Sequence, residues 1–144
     1  MMTELAQERW LVAWAGLALA EANLKATIDY IKERHAFGKP IATFQNTKFK
    51  IAELITDFQL ARVFADKCLE MHCEKKLDGA MASMMKYRLT DLQFKIADEC
   101  MQLHGGYGYM WEYLAARAFA DSRVQRIYAG TNEIMKEVVA RKFL

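Results

Sequence analysis

Trp10-Leu11-Val12-Ala13-Trp14-Ala15-Gly16-Leu17, continued by Leu24, Ile28 and Ile31, sets apolar side chains three, four or seven positions apart between about Glu4 and Glu33. That spacing is the helical period, and it gathers these residues onto one stripe. Glu21 falls where another apolar residue would continue the stripe, and a carboxylate there marks a partly exposed edge. The helix is expected to end before Ala36-Phe37-Gly38-Lys39-Pro40, because glycine accepts a left-handed cap and proline cannot continue a helix.

The same period recurs downstream. A second helix is expected to start at a cap supplied by Thr43 or Asn46 and to run to about Lys75, with Ile51, Leu54, Ile55, Phe58, Ala61, Ala65 and Cys68 facing inward. Leu77-Asp78-Gly79 reads as a turn, and a third helix follows from about Gly79 to His104 with Met81, Met85, Leu89, Leu92, Ile96 and Leu103 in register. Each of the three helices would be roughly 40 Å long. A fourth, from about Asn132 to Lys142, would close the remaining face with Ile134, Met135, Val138 and Val139, while residues 111–117 and 121–126 read as short helical pieces. The expected fold is all-α, an antiparallel four-helix bundle forming a single domain over residues 1–144.

Composition narrows the function classes. The chain has 53% apolar residues, one proline and no low-complexity tract, as a helical domain with a real core requires. Twenty basic and 18 acidic residues give a net charge of +2 without any block of like charge, so nucleic acid is not an expected partner. Lys32, Arg34, His35 and Lys39 cluster at the predicted end of the first helix, where cations suit the dipole. The longest apolar run, Trp10 to Ala20, is eleven residues, too short to span a bilayer. Met1-Met2-Thr3-Glu4 does not resemble a secretory leader, which points to the cytoplasm or an organelle matrix. Cys68, Cys73 and Cys100 form no Cys-x-x-Cys pair, and with His72 they fall short of four ligands, so neither a disulfide framework nor a metal site is expected. The nine methionines read as core filler.

Three motifs bear on chemistry. Gly105-Gly106-Tyr107-Gly108 closes a long helix instead of following a strand, so it reads as a C-cap and not as a dinucleotide loop. No Glu-x-x-His occurs, which removes a di-iron bundle; each of the three histidines, read alone, is a surface or capping residue. Glu8 precedes the apolar run with its two tryptophans. Partial desolvation there would make a better base, although an acid in a first helical turn also simply suits the dipole.

Beyond these readings, Gln102-Leu103-His104-Gly105-Gly106-Tyr107-Gly108-Tyr109, Ile127-Tyr128-Ala129-Gly130-Thr131-Asn132-Glu133, Glu33-Arg34-His35-Ala36-Phe37-Gly38-Lys39 and Gln45 together resemble the C-terminal helical domain of the acyl-CoA dehydrogenases in order and spacing, over about Leu5 to Leu144. That family's larger members also carry an N-terminal helical domain and a middle β domain, which these 144 residues do not include. The resemblance implies FAD as cofactor, acyl-CoA as substrate, electron-transfer flavoprotein as electron acceptor, and a homo-oligomer, dimer or tetramer. It implies that Arg34 and Gln45, with Phe37 beside them, and Gln102 with Gly105 and Gly106 contact the FAD of a neighbouring subunit. Thr131 and Glu133 would lie near the subunit's own cofactor, and Tyr128, Ala129 and Gly130 would line the acyl thioester. Ala129 stands where most members have the glutamate base. In the branch similar to long-chain and isovaleryl-CoA dehydrogenases the base comes from the first long helix, which implies Glu8, with Arg9 beside the active site. Leu114 and Ala120 depart from a proline and an arginine common in the family. A non-catalytic helical assembly module, or an inactive fragment, is the alternative expectation.

Overall fold

The computed structural model describes residues 2–144, with side chains from Gln7 onward. The described residues form five helices: α1 (Met2–Glu33), α2 (Gln45–Cys73), α3 (Gly79–His104), α4 (Leu114–Gln125) and α5 (Asn132–Phe143). Between α1 and α2 the chain makes a small hairpin, β1 (His35–Ala36) antiparallel to β2 (Lys39–Pro40), and then a 3-10 turn over Ile41–Thr43. The hairpin turn is Phe37-Gly38, with φ of 52° and 79°, the double positive φ that matches the twist of paired strands.

The stripe read from α1 is the seam of the fold. Ala13, Leu17, Ala20 and Leu24 pack with Leu54, Phe58, Ala65 and Cys68 of α2 and with Met85, Leu89, Ile96 and Cys100 of α3. Leu17, Leu54 and Leu89 are almost wholly buried, and each such side chain stabilises the fold by roughly 1.5–3 kcal/mol. Consecutive helices run antiparallel. Glu21 pairs with Arg62, and Asp57 with Lys95. The most closely packed pair, α1 and α3, is parallel, as the contacts Arg9 to Ser83 and Tyr30 to His104 show. By length and composition α1 also qualifies as a membrane-crossing helix, with a mean hydropathy of 1.2 within Gln7–Glu33. The length of its longest apolar run therefore does not settle that question. Its apolar stripe packs on α2 and α3, and the polar Asn23 and Thr27 are buried with it.

The fourth position of the bundle differs in detail from the sequence reading. Residues 114–125 form one helix where two short pieces were expected, and α4 and α5 follow one another down α3, both antiparallel to it. Phe119 packs on Phe94, and Arg126 reaches Asp91; further along, Asn132 reaches Lys86, and Lys142 pairs with Asp78. The fourth helix is thus a broken one, with residues 126–131 at the break. Leu114 is the first residue of α4, a position where a proline would serve equally.

One capping expectation changes, and the turn before α3 supplies a cap. The N-cap of α2 is Phe44 and makes no side-chain cap; the Thr43 hydroxyl instead donates to the Pro40 carbonyl at 2.7 Å, closing the 3-10 turn. Asp78 caps α3, accepting from the Met81 amide at 2.8 Å. Ile55 and Ile134, expected inward, are exposed, because α2 and α5 each contact the bundle along a narrower strip than their apolar residues occupy.

Candidate functional site

At the C-terminal end of α3 the last turn is held from three sides. His104, read from the sequence as a surface or capping residue, is buried in the last turn of α3. Its Nδ1–H donates to the Cys100 carbonyl at 2.8 Å, and its ring stacks on Tyr30 at 4.1 Å. Gly105 then takes φ 60°, ψ −140°, a region essentially reserved for glycine. Gly108 folds the following turn back onto the helix so tightly that a Cβ there would sit 2.3 Å from the Met101 carbonyl oxygen. The Arg34 guanidinium lies 5.2 Å from the centre of the Tyr107 ring, a cation–π arrangement that orients it.

These constraints open a groove of about 510 Å³ lined by Arg34, Gln102, Gly105, Gly106 and Tyr107 among others. A Cβ on Gly105 or Gly106 would meet nothing within 4 Å, so the bare backbone there faces open space. A guanidinium, a side-chain amide and unobstructed backbone form a donor set suited to phosphate and ribose oxygens. Phe37 and Gln45 do not line this groove. Phe37 is 96% exposed on the hairpin, its ring edge-on to Phe44, and Gln45 is an exposed residue at the start of α2.

The second cluster surrounds the break in the fourth helix. The Asn132 amide donates to the Arg126 carbonyl at 3.0 Å, closing the loop on itself. Arg126 Nε and Asn132 Nδ2 both donate to Asp91 Oδ1, at 2.7 and 2.9 Å. Lys86 Nζ donates to the Gly130 carbonyl and to Asn132 Oδ1, each at 2.8 Å. Within the loop, Ala129 has φ 54° and Gly130 φ 95°, while Tyr128 is exposed. The Thr131 hydroxyl is the N-cap of α5, accepting from the Ile134 amide at 3.4 Å. Glu133 is exposed in the first turn, where its own backbone N–H and the Thr131 hydroxyl hold its carboxyl below the usual range.

Arg9, next to Glu8 in the chain, reaches this second region. Arg9 Nη1 donates to Ser83 Oγ at 3.3 Å, and Ser83 lies one helical turn before Lys86 on α3. Glu8 itself is exposed near the start of the helix, where an acid suits the dipole. It lies on the face of α1 turned away from that stripe. The two regions lie at different levels of α3. From Lys86 to His104 the helix climbs roughly 27 Å at about 1.5 Å per residue, so the predicted residues form two sets.

Sequence reading passed over Lys86, Asn132 and Asp91. The signal was present: Ser83, Lys86, Thr90 and Gln93 recur at helical spacing. A polar stripe of that kind normally faces solvent, yet all four are buried.

The whole chain, residues 1–144, matches the family described as acyl-CoA dehydrogenase, C-terminal domain. It is 50% identical over 144 residues to the long-chain specific acyl-CoA dehydrogenase, mitochondrial, of Mus musculus, covering 100% of this chain and 34% of that protein. The crystal structure of an acyl-CoA dehydrogenase from Geobacillus kaustophilus superposes with a TM-score of 0.96 at 45% identity, covering 99% of this chain and 37% of that one. A chain in the structure of the electron transferring flavoprotein of Acidaminococcus fermentans gives a TM-score of 0.94 at 34% identity, covering 97% of this chain and 37% of that one. The chain spans about a third of the length of the relatives it matches.

Proposed function

The chain belongs to the acyl-CoA dehydrogenase family, matching its C-terminal domain from end to end, and on that premise we propose that it works as the helical part of an FAD-dependent enzyme that introduces the α,β double bond into acyl-CoA thioesters. The observation that carries this reading is the convergence of Arg34, Gln102, Gly105 and Gly106 on one open groove. Those residues would hold the diphosphate end of FAD from a neighbouring subunit, with Gln45 and Phe37 reaching the same cofactor from the adjoining hairpin and α2 terminus. When bound, FAD supplies the acceptor for the hydride leaving the β carbon. Glu8 takes the proton from the α carbon; Ala129 carries only a methyl group and has no base to offer. Arg9 sits beside that carboxylate, Tyr128, Ala129 and Gly130 line the thioester, and Thr131 and Glu133 approach the subunit's own cofactor.

Because the groove and the Glu8 region are well separated along α3, one flavin is not expected to touch both sets within a chain. This supports a homo-oligomer, a dimer or tetramer, in which each cofactor is shared. Electron-transfer flavoprotein is the proposed electron acceptor. The compartment is the cytoplasm, or the mitochondrial matrix in a eukaryote, and the substrate preference is long-chain or branched-chain. The 144 residues on their own form only part of the pocket and are expected to be inactive without the rest of it.

A second reading, a helical assembly module without chemistry, is favoured by the exposed Leu60 and Val63 on α2. Two measurements separate the readings. In the protein that carries this domain, Glu8→Gln is expected to lower acyl-CoA turnover by about 100-fold to 10,000-fold, the usual contribution of a positioned base, with bound FAD unchanged. Turnover near that of the unaltered protein would overturn the assignment of the base. An oligomer that never retains flavin would favour the assembly module.

A further inference from the structure

Lys86 is fully buried, and among the described residues no carboxylate lies in contact with its ammonium. The charged groups around it are Arg9 on α1, Asp91 on its own helix, Arg126 at the loop and Glu133 on α5. Burial is the largest influence and pushes its pKa down to about 8. An interior cation without a paired anion destabilises a fold, and such violations of packing rules collect at functional places. What the cation does here is geometric. Its two acceptors, the Gly130 carbonyl and Asn132 Oδ1, lie on either side of Thr131, at the exit of the loop.

The loop needs such a hold. Its two ends are tied to α3 through Asp91. Ala129, between them, keeps a positive φ, a conformation that strains a residue with a Cβ. A strained residue persists only where its surroundings fix it. The Lys86 bond fixes the carbonyl of the next residue. A neutral amine still has two N–H groups, enough for both acceptors, so the hold survives deprotonation.

We propose that Lys86 is a positioning residue that sets the loop of Tyr128, Ala129 and Gly130 against the acyl thioester, opposite the carboxylate of Glu8. This rests on the proposed dehydrogenase reading, and it goes beyond that reading by assigning the loop's placement to a lysine that touches neither substrate nor cofactor.

The test uses the complete flavin-loaded protein and its Lys86→Met variant, which keeps the length and apolar stem of the side chain. Amide hydrogen exchange over residues 127–132 is expected to speed up at least tenfold in the variant, with the core of α1 and α3 still protected. With palmitoyl-CoA as the probe, kcat is expected to fall about 100-fold, the order that a 1 Å misplacement costs, at unchanged flavin content. Lys86→Arg, which keeps the donors, is expected to recover part of kcat. Unchanged loop exchange would overturn the proposal, and so would a loosened loop with normal kcat and KM. If Lys86→Met does not fold, Lys86→Gln, a shorter neutral side chain that leaves the Asn132 ties to Asp91 in place, must loosen the same loop, or the proposal fails. Should the unaltered protein dehydrogenate no acyl-CoA, the dehydrogenase reading falls, and with it the thioester role; the exchange data then decide the hold on the loop alone.

Discussion

Replacing Lys86 by methionine should change how the stability of the domain depends on pH, by an amount that follows from the burial of one ammonium group. In the folded chain the pKa of Lys86 is about 8, against 10.5 for an exposed lysine. The unfolded chain therefore binds more protons through this window, and stability rises with pH. Between pH 7 and 9 the unfolded lysine keeps nearly all of its proton while the folded one loses most of its own. The resulting gain is about 1.4 kcal/mol, and the full window from well below 8 to above 10.5 is worth about 3 kcal/mol. Methionine has no proton to exchange, so every other titrating group cancels in the difference between the two proteins. Urea unfolding of the original chain and of Lys86→Met at pH 7, 8 and 9 measures that difference. The original chain should gain about 1.4 kcal/mol on the variant from pH 7 to pH 9. A difference that stays flat would mean that Lys86 is solvated like a surface lysine, and would refute its account as a buried, unpaired cation.

Three further outcomes are expected. Gly108→Ala places a Cβ 2.3 Å from the Met101 carbonyl oxygen, so the turn must shift; thermal unfolding should show a loss of about 1–3 kcal/mol, and an unchanged melting temperature would contradict the packing described. Asp78→Ala removes the cap on the Met81 amide and the partner of Lys142, costing about 1 kcal/mol near neutral pH. Because that pair and cap hold the Asp78 carboxyl below its usual range, its contribution is present above the ordinary carboxylate pKa and is lost as pH falls through the folded value; urea unfolding in acid should show the variant gap closing. In a Glu8→Gln background of the complete protein, Ala129→Glu should restore part of the acyl-CoA turnover if both positions reach the same α carbon, and no recovery would argue that they do not.

Much of the architecture was legible because helical periodicity is local. The stripe from Trp10 to Ile31 and the span of α3 needed only the spacing of apolar residues and the punctuation of Asp78 and Gly105. The break in the fourth helix was harder to bound. Two short pieces, 111–117 and 121–126, were read where α4 runs unbroken from Leu114 to Gln125; Ser122 is buried within it, its hydroxyl donating to the Phe119 carbonyl. Of the candidate site, Arg34, Gln102, Gly105 and Gly106 came from the family resemblance and line one groove, while Phe37 and Gln45, named with them, lie outside it. The exposure of Glu8 could not be read from its neighbours in sequence, since it depends on which side of α1 faces α3.

The sequence by itself determined that this chain is helical and the approximate spans of its long helices, because helical periodicity rests on contacts a few residues apart, and the order and spacing of its motifs along the chain pointed to the family. Only the tertiary structure decided the meaning of Ser83, Lys86, Thr90 and Gln93. A polar stripe at helical spacing says nothing about whether water or another helix lies over it. Here α1 and the broken fourth helix cover it, and Asn132, more than forty residues away in the chain, bonds the buried Lys86 ammonium. Burial is a property of what packs against a face, and no local pattern carries that information.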